Sequence, residues 1–225
     1  MGYDVRRQPF RVPAGVSWGV PVPAGRSLNL LASTARNASH RPHLVVGAHL
    51  DTVPQAPGAE DNASGIGTLL AAAEAVAGRR TRLPVVFVVF GAEEPRGPGD
   101  DDHHYGSRHY VDRLVPQQRR AVRGMVALDR VGVGTSLPVC SAGSGQDPLR
   151  EAVLQAARRA GVRAFPCEAN RASDHWSFVR SGLPGVRLGS TPFSGYHSSR
   201  DVPAVVNRGQ LRRAARTTVA WLSAP

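Results

Sequence analysis

Lysine is absent from the 225-residue chain: all 28 cationic residues are arginine, set against 17 acidic residues for a formal charge of +11. So basic a balance raises nucleic acid or an anionic surface as a partner. The arginines are scattered, in pairs such as Arg6-Arg7, Arg79-Arg80, Arg119-Arg120 and Arg212-Arg213, and aromatics make up only 6% of the chain. No stacking platform or recognised nucleic-acid motif results, so no nucleic-acid partner is expected. The missing lysine, beside abundant Ala, Gly and Pro, reads as coding bias toward GC-rich codons. Cysteine is also scarce. Cys140 and Cys167 have no CxxC spacing, which excludes a zinc ribbon or a dithiol redox motif. They read as buried small hydrophobes, with a single disulfide left open. Long apolar runs are missing too, since Leu83–Gly91 and Leu69–Ala77 fall well short of the roughly 20 residues that span a bilayer. No membrane crossing is expected. Val12–Pro23 is broken by Pro13, Gly15, Gly19, Pro21 and Pro23, so it cannot serve as a signal-peptide core. The default expectation is a cytoplasmic location.

At 41% hydrophobic and 20% charged residues, the chain is expected to fold as one domain over residues 1–225. Leu28–Ser33, His43–Ala48 and the Val/Phe run Pro84–Phe90 read as strands, the last fully buried. Between the second and third lies a helix with Asn62 or Ser64 as N-cap, an inner face of Leu69, Leu70, Ala73, Val76 and Ala77, and an end at Gly78. The alternation continues with a helix near Ser107–Leu114 and a strand at Val122–Asp129. An amphipathic helix capped by Asp147 then stops at Gly161. A strand near Arg163–Phe165, a helix near Ser173–Arg180, a strand at Gly185–Leu188 and a closing helix Gln210–Leu222 complete the series. Arg11–Arg26 and Pro95–Gly99 read as loops. The pattern predicts a three-layer α/β/α fold with a mixed, largely parallel central sheet. Ligands of such sheets bind at the carboxyl ends of strands.

Residues able to bind metal follow those ends: His49 and Asp51 after the second strand, Glu93-Glu94 after the third, Asp129 at the end of the fourth, and Tyr196-His197 beyond the last, with Asp61-Asn62 opening the first helix. Each is weak evidence alone, because a single exposed His or Asp is usually just solvated. Five separated segments converging on one sheet edge are harder to explain that way. Two imidazoles and three carboxylates suit two zinc ions, with a position left open for water. The neighbours Glu93 and Glu94 point in opposite directions and so can take different roles.

His49-Leu50-Asp51, Gly58-Ala59-Glu60-Asp61-Asn62-Ala63-Ser64-Gly65, Gly91-Ala92-Glu93-Glu94, Gly106-Ser107-Arg108-His109-Tyr110-Val111, Leu128-Asp129, Ser173-Asp174-His175 and Tyr196-His197-Ser198 resemble, in order, the motifs of metallopeptidase family 28, the co-catalytic dizinc aminopeptidases. The resemblance runs from about His43 to the C-terminus. It implies that His49 and Asp129 hold one zinc, Glu94 and His197 the other, and that Asp61 bridges both. It further implies that Asp51 hydrogen-bonds the free nitrogen of His49, that Glu93 takes the proton of the metal-bridging water, and that the Tyr196 hydroxyl stabilises the oxyanion. Asp174 and Arg171 would contact the amino-terminal residue of the substrate, with a helix N-cap role for Ser173 or Asp174 as the alternative. The implied substrate is a peptide with a free N-terminus; oligomeric state is left open.

Two features depart from the family pattern. The helix that normally precedes the segment resembling Gly2-Tyr3-Asp4-Val5 has no counterpart in this sequence, and the Pro95–Tyr105 insertion is longer than in the secreted aminopeptidases. Within that insertion, His103 and His104 with Asp100, Asp101 and Asp102 read as a solvated rim rather than a third metal site. Three other readings stand beside the aminopeptidase. His49-Leu50-Asp51-Thr52-Val53-Pro54 also resembles metallopeptidase family 20, which contains carboxypeptidases and deacylases but inserts a dimerisation domain for which this chain has no room. A glutaminyl-cyclase-like enzyme using one zinc is a variant. A binding module on the same scaffold is the non-enzymatic reading.

Overall fold

In the computed structural model, which describes residues 2–33 and 38–223, strict alternation along the central strands divides the core in two. Leu44, Val46 and Ala48 of β5 (His43–His49), Val85 and Phe87 of β6 (Val85–Phe90), and Val126 and Leu128 of β7 (Val122–Asp129) face one layer of helices. Val45, Val86, Val88, Phe90, Met125 and Ala127 face the other. The first layer is α1 (Ser64–Val76), α4 (Pro148–Arg159) and α6 (Arg208–Leu222), which contribute Leu69, Val76, Leu149, Val153, Trp221 and Leu222. The second holds α2 (Tyr105–Asp112) and α5 (His175–Val179), with Tyr110, Val111 and Phe178, and the short α3 (Pro116–Ala121) beside β7. Burying each such Val, Leu or Phe contributes about 1.5–3 kcal/mol, so the two apolar faces hold the layers together. The architecture is three-layer α/β/α around a mixed sheet.

Eight strands join that sheet in the order β1-β4-β6-β5-β7-β10-β8-β9. β5, β6, β7 and β10 (Gly185–Gly189) run parallel; β4 (Gly25–Ser33) pairs antiparallel with β6 and with β1 (Asp4–Val12). On the other side β8 (Leu137–Ser141) is antiparallel to β10 and parallel to the edge strand β9 (Ala164–Cys167). β5 lies between β6 and β7, so the carboxyl ends of these three parallel strands open on one side of the sheet.

β1 and β8 are additions to the strands read from the sequence. Arg11–Arg26, expected to be a loop, contains the ends of β1 and β4 and a hairpin between them, β2 (Gly15–Ser17) with β3 (Val20–Val22). Trp18 and Gly19 form its tip, both with positive φ (48° and 82°), the geometry that reverses a two-residue hairpin. Arg96 anchors it by donating to the carbonyls of Pro13 and Pro23 at 2.7 and 2.8 Å. Cys140 and Cys167 correct a second expectation. They face each other in the β8–β9 register and are joined by a disulfide, so they are a covalent tie rather than separate small hydrophobes. No helix among the described residues is long and apolar enough to cross a membrane.

Candidate active site

His49 ends β5 and Asp129 ends β7; Glu93 and Glu94 lie three and four residues beyond β6, and His197 is on the loop after β10. Asp61 sits in the tight turn before α1, where the Asp61–Asn62 peptide bond is cis. These buried side chains form three groups, His49 with Asp61 and Asp129, Asp61 with Glu94 and His197, and His49 with Glu93 and Glu94, the first two of which share Asp61. His49 Nε2 lies 3.2 Å from Asp61 Oδ1 and 3.6 Å from Asp129 Oδ1. His197 Nε2 lies 3.1 Å from Asp61 Oδ2 and 3.4 Å from Glu94 Oε2. Each oxygen of Asp61 thus faces a different imidazole, the arrangement a bridging carboxylate requires. The donor atoms of each group lie within 4.8 Å of one another.

This donor set fits divalent cations of the zinc type, which take imidazole nitrogen and carboxylate oxygen together. Burial pushes Glu93 and Glu94 up to about 8, and neighbouring carboxylates add to the rise. Burial alone would lower His49 and His197. For His49, Glu93, Asp129 and Asp61 reverse that and raise it well above the usual range; for His197, Asp61 and Glu94 raise it to about 9. Burial would likewise raise Asp129, but the Arg187 guanidinium at 3.0 Å, with His49, holds it well below. Glu94 Oε1 is buried with no hydrogen-bond partner. Carboxylates crowded in this way are costly unless positive charge is placed among them, and a metal ion supplies it.

The turn carrying Asp61 is stitched to the residues that follow Asp129. Asn62 Oδ1 accepts from Arg130 N at 3.2 Å, Ser64 Oγ from Val131 N at 3.1 Å, and the Glu60 carboxyl from the amides of Gly132 and Val133. The N-cap of α1 is Ala63, which makes no side-chain cap, rather than Asn62 or Ser64; from one residue further out, Asn62 Oδ1 also accepts from Gly65 N at 3.0 Å. A Cβ at Gly65 would collide with the Leu128 carbonyl and the Asn62 amide, and its absence lets α1 approach the end of β7. The Asp201 carboxylate, four residues past His197, accepts from the amides of Glu60 and Asp61 at 2.7 and 3.1 Å, tying the loop of one donor to the turn of another.

Asp51 holds a comparable place, but not the one expected from the resemblance. Its carboxylate accepts from the amides of Glu93 and Glu94, both at 3.0 Å, while its main-chain carbonyl lies 3.1 Å from His49 Nδ1. The Asp51 carboxylate itself stays 3.9 Å from that nitrogen. Backbone rather than side chain therefore sets the tautomer that leaves Nε2 for a metal.

Glu93 reaches within 4.0 Å of His49 Nε2 through Oε2, while Oε1 is 3.2 Å from His104 Nε2. His104 corrects the reading of its loop as a solvated rim. Asp100 and Asp101 are exposed, but His104 is buried. Tyr196 stacks on His197 at 3.7 Å with the Arg130 guanidinium 4.1 Å over its ring, and burial raises its pKa, so it remains a donor. Asp174 is buried, neither oxygen finds a hydrogen-bond partner, and burial followed by the charge of Glu93 pushes it up to about 7. It precedes α5 without making a side-chain cap. Arg171 is exposed and lies 4.7 Å over the Trp176 ring. His104, Arg187 and Asp201 were missed from the sequence. Arg187 left a signal, as the lone charge in the otherwise apolar strand Gly185–Gly189.

The model of peptidase family M28 matches residues 29–222. Aminopeptidase YwaD of Bacillus subtilis is 29% identical over 157 residues, 68% of this chain and 33% of that protein. The chain spans about a third of the length of the curated relatives it matches first. Among solved structures, a zinc aminopeptidase from B. subtilis superposes with a TM-score of 0.78 at 24% identity, covering 89% of this chain and 50% of that one. A Porphyromonas gingivalis glutaminyl cyclase superposes with 0.81 at 22% identity, covering 98% and 83%. With the family's match extending over most of the described sheet and every donor in the cluster, the chain belongs to peptidase family M28.

Proposed function

We propose that the protein is a zinc-dependent aminopeptidase that removes the N-terminal residue of peptides. The observation that carries this reading is the division of Asp61 between His49 and His197, which makes one carboxylate common to two donor groups. His49 and Asp129 would hold one zinc, Glu94 and His197 the second, and Asp61 both. Bound zinc would supply Lewis acidity, polarising the scissile carbonyl and lowering the pKa of the attacking water. Glu93 takes a proton from that water and returns it to the leaving amine. Tyr196 offers a hydroxyl to the developing oxyanion. Asp174, a buried carboxyl with the Ser107 hydroxyl beside it, is suited to a substrate ammonium, which would explain a requirement for an unblocked terminus. Asp51 serves by fixing the backbone that carries Glu93 and Glu94 rather than by chemistry of its own. The whole of 1–225 acts as one catalytic domain in this reading. The disulfide favours an oxidising compartment over the cytoplasmic default.

The deciding experiment uses zinc-loaded protein on unblocked peptides, the same peptides N-acetylated, and peptides beginning with glutamine. Release of free N-terminal amino acids from the unblocked set alone supports the proposal, and cleavage of the acetylated set refutes it. Ammonia release from the glutamine set, without amino-acid release, would establish the cyclase reading that the second structural neighbour makes worth testing. Glu93→Gln should cut turnover roughly 10²–10⁴-fold with metal content unchanged, whereas Asp61→Ala should lose metal. Equal metal loss in both would overturn the separation of base from ligand.

A further inference from the structure

The loop that follows Glu94 leaves the site, crosses exposed ground at Pro98–Asp101, and returns at His104. Its return is fixed to the strand end it left: His104 N donates to the Glu93 carbonyl at 2.8 Å, and Tyr105 N to the Ala92 carbonyl at 2.9 Å. His104 takes a left-handed conformation there, with φ 57°. Glycine or asparagine would satisfy such a junction at lower cost. Histidine in this position is explained by what its side chain reaches. The ring is buried, its Nε2 is 3.2 Å from Glu93 Oε1, and its Nδ1 has no hydrogen-bond partner. Glu93, Asp174, Asp129, His49, His103, His175 and Arg187 all act on the ring, but burial is the largest influence and pushes its pKa down to about 4. At neutral pH the ring is therefore neutral, and its 3.2 Å approach to Glu93 is not an ion pair.

We infer that His104 is a positioning residue for the general base: its Nε2–H donates to Oε1 of Glu93 and holds the carboxylate so that Oε2, 4.0 Å from His49 Nε2, is the oxygen presented to the attacking water. The inference rests on the reading of Glu93 as the base. The Nε2 proton stays on His104 throughout the cycle. Glu93 accepts the water proton on Oε2 and passes it from the same oxygen to the leaving nitrogen. An unanchored carboxylate would present either oxygen, in more than one rotamer. Anchoring through the loop return also gives the long insertion a mechanical part: its exposed arc can vary while its last residue fixes the base.

Two measurements test this. In the zinc-loaded protein at pH 7, nitrogen-15 NMR of the histidine rings should show His104 as the neutral Nε2–H tautomer, assigned by its disappearance in His104→Gln. An Nδ1–H tautomer or an imidazolium overturns the proposal. In the zinc-loaded enzyme, His104→Leu should lower kcat about 10- to 100-fold, the loss expected for one hydrogen bond to a charged group. KM and zinc content should stay within twofold. His104→Gln, which can offer an amide N–H to the same oxygen, should recover most of that loss. Equal impairment of Leu and Gln variants with normal folding and zinc content, or a change confined to KM, overturns it. If the wild type cleaves no peptide, the aminopeptidase reading fails, and the NMR result alone decides whether His104 holds Glu93.

Discussion

At the scale of single residues, two carboxylates hold the donor segments through main-chain amides: Asp51 accepts from Glu93 and Glu94, and Asp201 from Glu60 and Asp61. His49, Asp61, Glu93, Glu94, Asp129 and His197 could be found in the sequence because metal chemistry restricts the side-chain types and the α/β pattern restricts where they fall. Asp201 and the true part played by Asp51 could not, because their partners are main-chain amides, which have no sequence signature. The Asp201 carboxylate serves two buried amide donors, at Glu60 and Asp61. Leaving a buried donor unsatisfied costs about 1–3 kcal/mol. Asp201→Ala is therefore expected to weaken zinc binding roughly 10- to 100-fold, the range seen when a group supporting a ligand is lost. The thermal midpoint should fall as well, although Asp201 meets the donor Asp61 only through its main-chain amide. Zinc titration with a chromophoric chelator checks this; unchanged affinity would mean that the turn carrying Asp61 holds its shape without the carboxylate.

At the scale of elements, β5, β6 and β7 could be read because they are buried on both faces and so nearly continuous in apolar residues. β1 escaped because most of it is exposed at the sheet edge, where Asp4, Arg6, Arg7 and Gln8 leave no apolar alternation. β8 is only five residues and contains Pro138, which is tolerated because the pairing with β10 starts at the next residue, Val139. The hairpin β2–β3 depends on Arg96, about 75 residues away, and its prolines disguise it. α5 was found, and it carries a pH effect. His175 is fully buried, its Nε2 donates to the Asn170 carbonyl at 2.8 Å, and burial followed by the Arg187 charge pushes its pKa down to about 3. In the unfolded chain it titrates near 6.5. Between these values the unfolded state takes up a proton that the native state refuses, so this contribution is fully present above about 6.5 and is lost as pH falls toward 3. Asp174, raised to about 7, acts in the opposite direction. The difference between wild type and His175→Gln isolates the histidine: the variant's stability should fall less steeply than the wild type's between pH 6.5 and 4. Parallel denaturant midpoints across that range would refute the assignment.

At the scale of the whole molecule, the site lies at the carboxyl ends of the central strands and the covalent tie at one margin. The Cys140–Cys167 disulfide closes a loop of 27 residues. In the chain-entropy model, a loop of that size contributes about 3–4 kcal/mol. Reduction should lower the melting temperature by on the order of 10 °C. Zinc content should be unchanged, because β8 and β10 separate β9 from Asp129. Loss of zinc on reduction would show that the margin and the centre are coupled. The sequence could not have settled this pairing, since two cysteines with no motif are compatible with either state until the strand order puts them side by side.

The three tryptophans occupy different parts of the same architecture. Trp221 is buried in the helical layer beneath Arg82, and Trp176 lies on α5 under Arg171. Trp18, at the tip of the hairpin, is 55% exposed and meets His197 edge-on at 4.5 Å. An indole so close to an imidazole loses emission when that ring carries a proton and recovers it when the lone pair is otherwise engaged. One component of the molecule's ultraviolet emission is therefore expected to respond to the state of His197, and the hairpin would give the protein an intrinsic optical readout of the metal site proposed for it.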